Sequence, residues 1–327
     1  TSGDTVVVPS GVSLAPGGGL TLTGALAVDG GTVKLDGAFP TGTQNTALGN
    51  DALASGSLSG GYNTAIGDTA LKTNTSGSAN VAVGRDALEL NTTGCQNTAL
   101  GQNTMYTNVS GDFNTAVGRE ALYSNTTADN NTAVGLCALK ANTTAPDNVA
   151  VGFEAMLTNT TGCRNVAVGK RALKLNTEGC DNVAIGLNTL GANTTGDFNT
   201  GIGFASLKAN TTADNNSALG YCTLSANTTG SFNTGIGLCS IYTNTTGGCN
   251  SALGNDSLRA NTTGSENTTV GSASMLLNTT GSSNTAVGRA ALRNNTTAGG
   301  NTAVGFCALD ANTTGYSNQA LGCGALG

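Results

Sequence analysis

Histidine is absent from all 327 residues of this chain. That excludes Ser-His-Asp triads, histidine general acid–base chemistry and histidine-ligated metals. Tryptophan is absent too, aromatics are 4% and charged residues 10%, against a usual ~25% charged. So little large apolar material cannot build a thick core, and stability must come from backbone ladders and thin, regular packing. There are nine cysteines but no C-x-x-C, so zinc-ribbon and thioredoxin patterns are missing. No apolar run approaches the roughly 18 residues of a membrane helix, so no membrane span is expected. The 13 Lys and Arg are scattered in a chain of net charge −6, and nucleic-acid binding lacks its basic footprint. Carboxylates such as Asp86, Glu120, Glu154 and Asp310 sit at variable positions without converging. The expectation is a protein that is not an enzyme and has no cofactor and no metal.

What is present is repetition. Asn114-Thr115-Ala116-Val117-Gly118 returns with small changes from Asn45 to the end. The lead Asn falls at Asn45, then Asn63, Asn80, Asn97 and onward to Asn318; the first step is 18 residues and every later one is 17. One repeat reads N-[TVSQ]-[AGT]-[VIL]-G-x-x-[AST]-[LMI]-x-x-N-T-T-[GA]-x-x. A fixed short period over most of a chain marks a solenoid. Position 4 (Val83, Leu100, Val117) and position 9 (Leu88, Met105, Leu122) are the reliably large apolar positions, and position 5 is always Gly (Gly84, Gly118). That Gly reads as a corner needing φ > 0 or close backbone passage. N-T-A-V-G is strand-like. G-x-x-A-L-x-x-N is too short for a free helix and is expected to form a second strand. Each coil then has two strands, with corners at the glycine and at the Asn-Thr-Thr segment.

If one repeat is one coil, like residues stack about 4.8 Å apart. Two Asn ladders follow, one through Asn114 and Asn131, the other through Asn125 and Asn142, each amide bonding its neighbours. Each coil buries one Val, one Leu and two Ala. That recovers less than ordering seventeen residues costs, so further burial from partner chains, as in a trimer, is expected. Residues 1–44 lack the motif, hold three of the four prolines and read as short strands between turns: a β-rich cap or adaptor. The repeat region is 45–327. The chain starts at Thr1 rather than Met, which reads as a processed or trimmed end. The last repeat stops at its tenth position, either by truncation or because that end stacks on another molecule.

Stacking also brings cysteines together. Cys163 and Cys180 are one repeat apart, as are Cys222 and Cys239, which places each pair's Cα atoms within the disulfide window of about 4.4–6.8 Å. Two rung-to-rung bridges are expected, consistent with an extracellular chain. Cys307 and Cys323 are a third, out-of-register candidate. Asn91, Asn125, Asn142 and Asn193 begin Asn-Thr-Thr glycosylation sequons, although the same segment serves as a structural corner. Thr columns raise ice binding, but neighbours Thr126 and Thr127 would point to opposite faces of a strand. Tyr106, Tyr123 and Tyr242 at position 10 and Phe113, Phe198 and Phe232 at position 17 form lateral stripes or cover Gly-rich backbone.

The segment Asn80-Val81-Ala82-Val83-Gly84-Arg85-Asp86-Ala87 resembles the YadA-like head repeat of trimeric autotransporter adhesins. Looser equivalents cover Asn45 to Gly327, and related repeats occur in phage tail-fibre-like proteins. The resemblance implies an all-β, left-handed β-roll with three chains around one axis. This chain has a longer coil than that family, adds the apolar position 9 and the Asn-Thr-Thr-Gly segment, and shows no coiled-coil stalk or membrane-anchor barrel. The combined expectation is a β-solenoid fibre or filament subunit outside the cell or on a virion, giving reach and adhesion. Its partner is itself, as a homotrimer or a head-to-tail filament, with a surface receptor or glycan as a further partner. The alternatives are a receptor-binding tail-fibre shaft, an adhesin head, and an ice binder.

Overall fold

Seventeen three-residue strands, one per repeat, form one parallel sheet in a computed structural model that describes residues 44–327. They run from β1 (Thr46–Leu48), β2 (Thr64–Ile66) and β3 (Val81–Val83) to β17 (Gln319–Leu321). Each pairs with the strand one repeat away in strict register: Thr115 opposite Thr132, Ala116 opposite Ala133, Val117 opposite Val134. One repeat is therefore one coil, and the chain is an all-β solenoid with no helix among the described residues. It belongs to the compact unit Asp36–Gly327. The cap expected over 1–44 lies outside the described residues, apart from Gln44.

The coil has one strand, not the two expected. After Gly118 the chain curls through turns, with Glu120 at φ 57° and Leu122 at φ 51°. Every second residue is left-handed, a conformation that costs of order 1–3 kcal/mol per non-Gly residue and that no strand adopts. What holds it is a run of backbone hydrogen bonds within and between coils. Ala121 N–H closes on Gly118 O at 3.2 Å and Asn125 N–H on Leu122 O at 3.1 Å. Glu120 N–H reaches back one coil to Gln102 O at 3.0 Å, and Leu122 N–H reaches forward to Ala138 O at 3.0 Å. The alternation aims every second N–H group, those of Glu120, Leu122 and Ser124, at a neighbouring coil, so the turn segment stacks as well as the strand.

The core is a thin column. Ala116, Ala121 and Leu122 are fully buried, as are their equivalents in most coils, with Met105, Met156 or Ile241 standing in for Leu. Position 4 does not join them. Strand alternation puts position 3 inside and positions 2 and 4 outside, and Leu219 and Leu253 are each 48% exposed. The valine counted as core is a surface residue. Where position 8 is Thr189 or Thr223, position 3 of the next coil is Gly201 or Gly235, and a Cβ on either glycine would overlap that threonine's methyl. A larger residue on one rung is thus matched by a smaller one on the next.

Candidate functional site

The corner glycines hold the coils together by what they lack. Gly84 has φ 136° and Gly118 φ 126°, and a Cβ on Gly118 would lie 2.6 Å from the Gly135 carbonyl oxygen. Both grounds foreseen for this residue, left-handed backbone and close passage, apply at once.

The asparagine ladders are present, fully buried from Asn74 to Asn301 and tied to each other. Asn114 donates its backbone N–H (2.9 Å) and its Nδ2 (3.1 Å) to Asn97 Oδ1. Asn125 Nδ2 donates to Asn108 Oδ1 at 2.7 Å, and Asn142 Nδ2 to Asn125 Oδ1 at 3.2 Å. The two columns converge on one carbonyl: Ala128 O accepts from Asn114 Nδ2 at 2.8 Å and from Asn125 Nδ2 at 3.0 Å. Each coil is thereby pinned shut where its turn segment returns to the strand. Asn131 departs in one respect, keeping the backbone bond to Asn114 Oδ1 at 2.9 Å while its Nδ2 turns to Asp129 O at 3.2 Å.

These same bonds overturn the glycosylation reading. Asn91, Asn125, Asn142 and Asn193 are all fully buried, and the nitrogen that would carry a sugar is donating inward in each. The folded coil has no room for a glycan there. The threonine after each is half-spent as well: Thr126 Oγ1 donates to Thr143 O at 3.0 Å, so that hydroxyl column serves the backbone rather than ordering water.

All nine cysteines are free thiols. Cys163 and Cys180 stand adjacent as expected, Sγ to Sγ at 2.9 Å, with Cys163 N–H also on Cys180 Sγ at 3.0 Å. Burial and the Cys163 hydrogen bond push the Cys180 thiol up to about 11. Cys222 and Cys239 also lie within mutual electrostatic reach, and burial with the Cys222 charge raises Cys239. Raised thiol pKa values leave little thiolate, the nucleophile of disulfide exchange, at neutral pH. Cys137 is raised by burial and by Glu120 beside it.

Charged residues clamp neighbouring coils. Glu120 holds Lys140 of the next coil at 2.7 Å and Arg119 at 3.0 Å. Glu154 takes Arg171 and Lys174, both at 2.9 Å. The Lys140 hydrogen bond draws Glu120 below the usual carboxylate range, and Lys174 then Arg171 do the same for Glu154. Among the described residues no group of three or more His, Cys, Asp or Glu is placed to hold a metal, and no helix is long and apolar enough to cross a membrane. Of the aromatic positions, Phe113, Phe198 and Phe232 are 53–61% exposed, while Tyr106, Tyr123 and Tyr242 are half-buried. Tyr106 and Tyr123 stack at 5.3 Å.

No family model matches the chain, and no curated protein matches it.

Two features escaped the sequence. One is the outward strand face, where position 2 (Thr115, Thr132, Val149) flanks position 4 (Val117, Val134, Val151) along the solenoid. Its signal was there in the alternation of T-A-V, with the small residue marking the inner face. The other is a notch of about 220 Å³ lined by Arg171, Lys174, Asn188, Gly191, Ala192 and Lys208. Its cations are scattered in sequence and gather only when positions 7 and 10 are stacked by seventeens.

Proposed function

We propose that this chain is the rod-forming part of a structural fibre outside the cell or on a virion surface, that copies of it associate side by side, and that its work is reach and adhesion. One observation carries this reading: the column of Val, Ile and Leu that faces outward at position 4 along the sheet, with Leu48 at 59% and Leu219 and Leu253 at 48% exposure. Seventeen strands at ~4.8 Å, presenting about 10 Å of width, give a face on the order of 800 Å². That equals what one partner contributes to a standard stable interface. The occupant that fits it is a second and third copy of the same face, because only a surface with the same 17-residue repeat stays in register over its whole length. The burial that a thin Ala-Leu core lacks is thereby supplied between chains.

Exposed Phe113, Phe198 and Phe232 favour a second reading, in which the rod itself docks a receptor as an adhesin head or tail-fibre shaft does. The test is sedimentation equilibrium on the full chain, beside a variant with Val134→Asp, Val151→Asp and Val168→Asp. The fibre reading expects a trimer or larger assembly that dissociates in the variant while strand circular dichroism is retained. A full chain that stays monomeric at tens of micromolar overturns it.

A further inference from the structure

We propose that the notch over Gly191 binds a small organic anion: one sugar-sized ring bearing a single sulfate or carboxylate. The inference rests on the adhesive-rod reading and names the ligand class of one place on that rod.

The notch arises from one missing side chain. Lys174, Gly191 and Lys208 occupy position 10 on three successive coils. Gly191 has nothing to fill its rung, so Lys174 and Lys208 stand on either side of a gap of two coils, roughly 10 Å, with Lys174 turned back toward Glu154. Gly191 and Ala192 form the floor, and Arg171 and Asn188 of position 7 form the side. Arg171 and Lys174 share one carboxylate, Glu154. Among the described residues, Lys208 is exposed with no acid within ion-pair distance, and the Asn188 side-chain amide has no protein hydrogen-bond partner. The gap therefore has at least one uncompensated cation and a free amide donor at its rim.

The surrounding field favours an anion as well. Across positions 6–11 of the five coils from Asn131 to Asn215 stand Lys140, Lys170, Arg171, Lys174 and Lys208 against Glu154 alone, five cations and one carboxylate, a net of +4 on a chain of −6. The other acids of the same coils are Glu178 at position 14 and Asp147, Asp181, Asp197 and Asp214 at positions 16 and 17, outside that segment of the coil. A patch of one sign set in an oppositely charged molecule attracts counter-charged ligands selectively.

Size and walls define the rest. At about 220 Å³ the notch is smaller than the roughly 300–1,000 Å³ of drug-sized sites. Its lining, with Gly191, Ala192 and the lysine stems, is mostly apolar, which suits the C–H face of a ring, while charge and amide at the rim suit one oxyanion. A neighbouring notch of about 300 Å³, lined by Tyr242, Arg259 and Leu276, makes the contrast: its cation is paired with Asp256 at 3.5 Å.

The experiment is calorimetric titration of the full chain with a monosulfated galactose, with galacturonate and with galactose, in low salt. Two variants go beside it: Lys208→Gln, and Gly191→Leu, which fills the gap. Position 10 already carries leucine at Leu157, so Gly191→Leu repeats a coil this fold accepts. The expected result is binding of an anionic sugar at least tenfold tighter than galactose. Lys208→Gln should weaken it about tenfold, ~1.4 kcal/mol, and Gly191→Leu should abolish it with circular dichroism unchanged. Preference for the sulfated sugar assigns sulfate, and preference for galacturonate assigns carboxylate. Equal binding of galactose, no binding of any of the three, or binding that survives Gly191→Leu overturns the site. Sedimentation of the same sample separates the two readings: an assembled rod that binds nothing removes the notch and leaves the fibre, and a monomer that binds does the reverse.

Discussion

A buried asparagine column is costly to interrupt, because each amide serves two neighbours. Asn125 donates to Asn108 Oδ1 and to Ala128 O, and accepts from Asn142 Nδ2. Asn125→Ala removes all three bonds and leaves buried partners without water, at ~1–3 kcal/mol for each one unmet. The expected loss is about 3 kcal/mol in urea denaturation. Two residues on, Thr127 is exposed, and Thr127→Ala should fall within ±0.5 kcal/mol. Equal effects from the two would mean that the ladder contributes nothing beyond shape. Gly118→Ala belongs to the same scale but fails differently, through steric overlap with Gly135 rather than lost hydrogen bonds. The glycosylation reading went wrong here for a physical reason. A sequon is a pattern of residue types, and Asn-Thr-Thr satisfies it wherever it stands, but the period assigns these Asn to the interior.

The coil is the element, and most of it was legible. Identical spacing of Gly84, Gly118 and their fellows implied one coil per repeat, and the strand at Thr115–Val117 lies inside the Asn-Thr-Ala-Val-Gly run read as strand-like from its composition. The turn segment was not legible, because propensity gives no warning of Leu122 at φ 51°; only stacking makes that backbone stable. Nor did the composition of position 4 reveal its direction, since a large apolar residue is ordinarily assigned inward. Between coils, the carboxylate clamps give the element a pH dependence. Glu120 and Glu154 have folded-state pKa values below the ordinary ~4.3 of the unfolded chain. Their contribution is therefore present above about pH 4.3 and is lost as pH falls through the folded-state values. Melting followed by circular dichroism from pH 7 downward should show stability falling below about pH 4.3, and the fall should shrink in Glu120→Gln/Glu154→Gln. An undiminished fall in that double variant would place the acid sensitivity elsewhere.

For the whole molecule, a solenoid differs from a globule in where its contacts go. Each coil touches only the coils on either side, so stability is a sum of coil terms and nearest-neighbour terms. The register between coils is fixed by the strand pairs, the two Asn columns and the corner glycines together, and all three share the 17-residue period. Deleting residues 114–130, one whole period, brings Asn131 onto Asn97 with every column continuous. Deleting only 114–121 removes strand, corner and one Asn but leaves the second Asn column, so no register satisfies all three. The first deletion should keep the strand signal, a single melting transition and the assembly state of the full chain. The second should melt in two steps or lose the strand signal over the interrupted coils. The comparison also bears on the lateral face, because removing a whole period shortens the apolar column of position 4 without breaking it. Assembly that survives the whole-period deletion and fails in the partial one ties association to an unbroken register of coils, whereas identical behaviour of the two deletions would contradict the nearest-neighbour account of this fold.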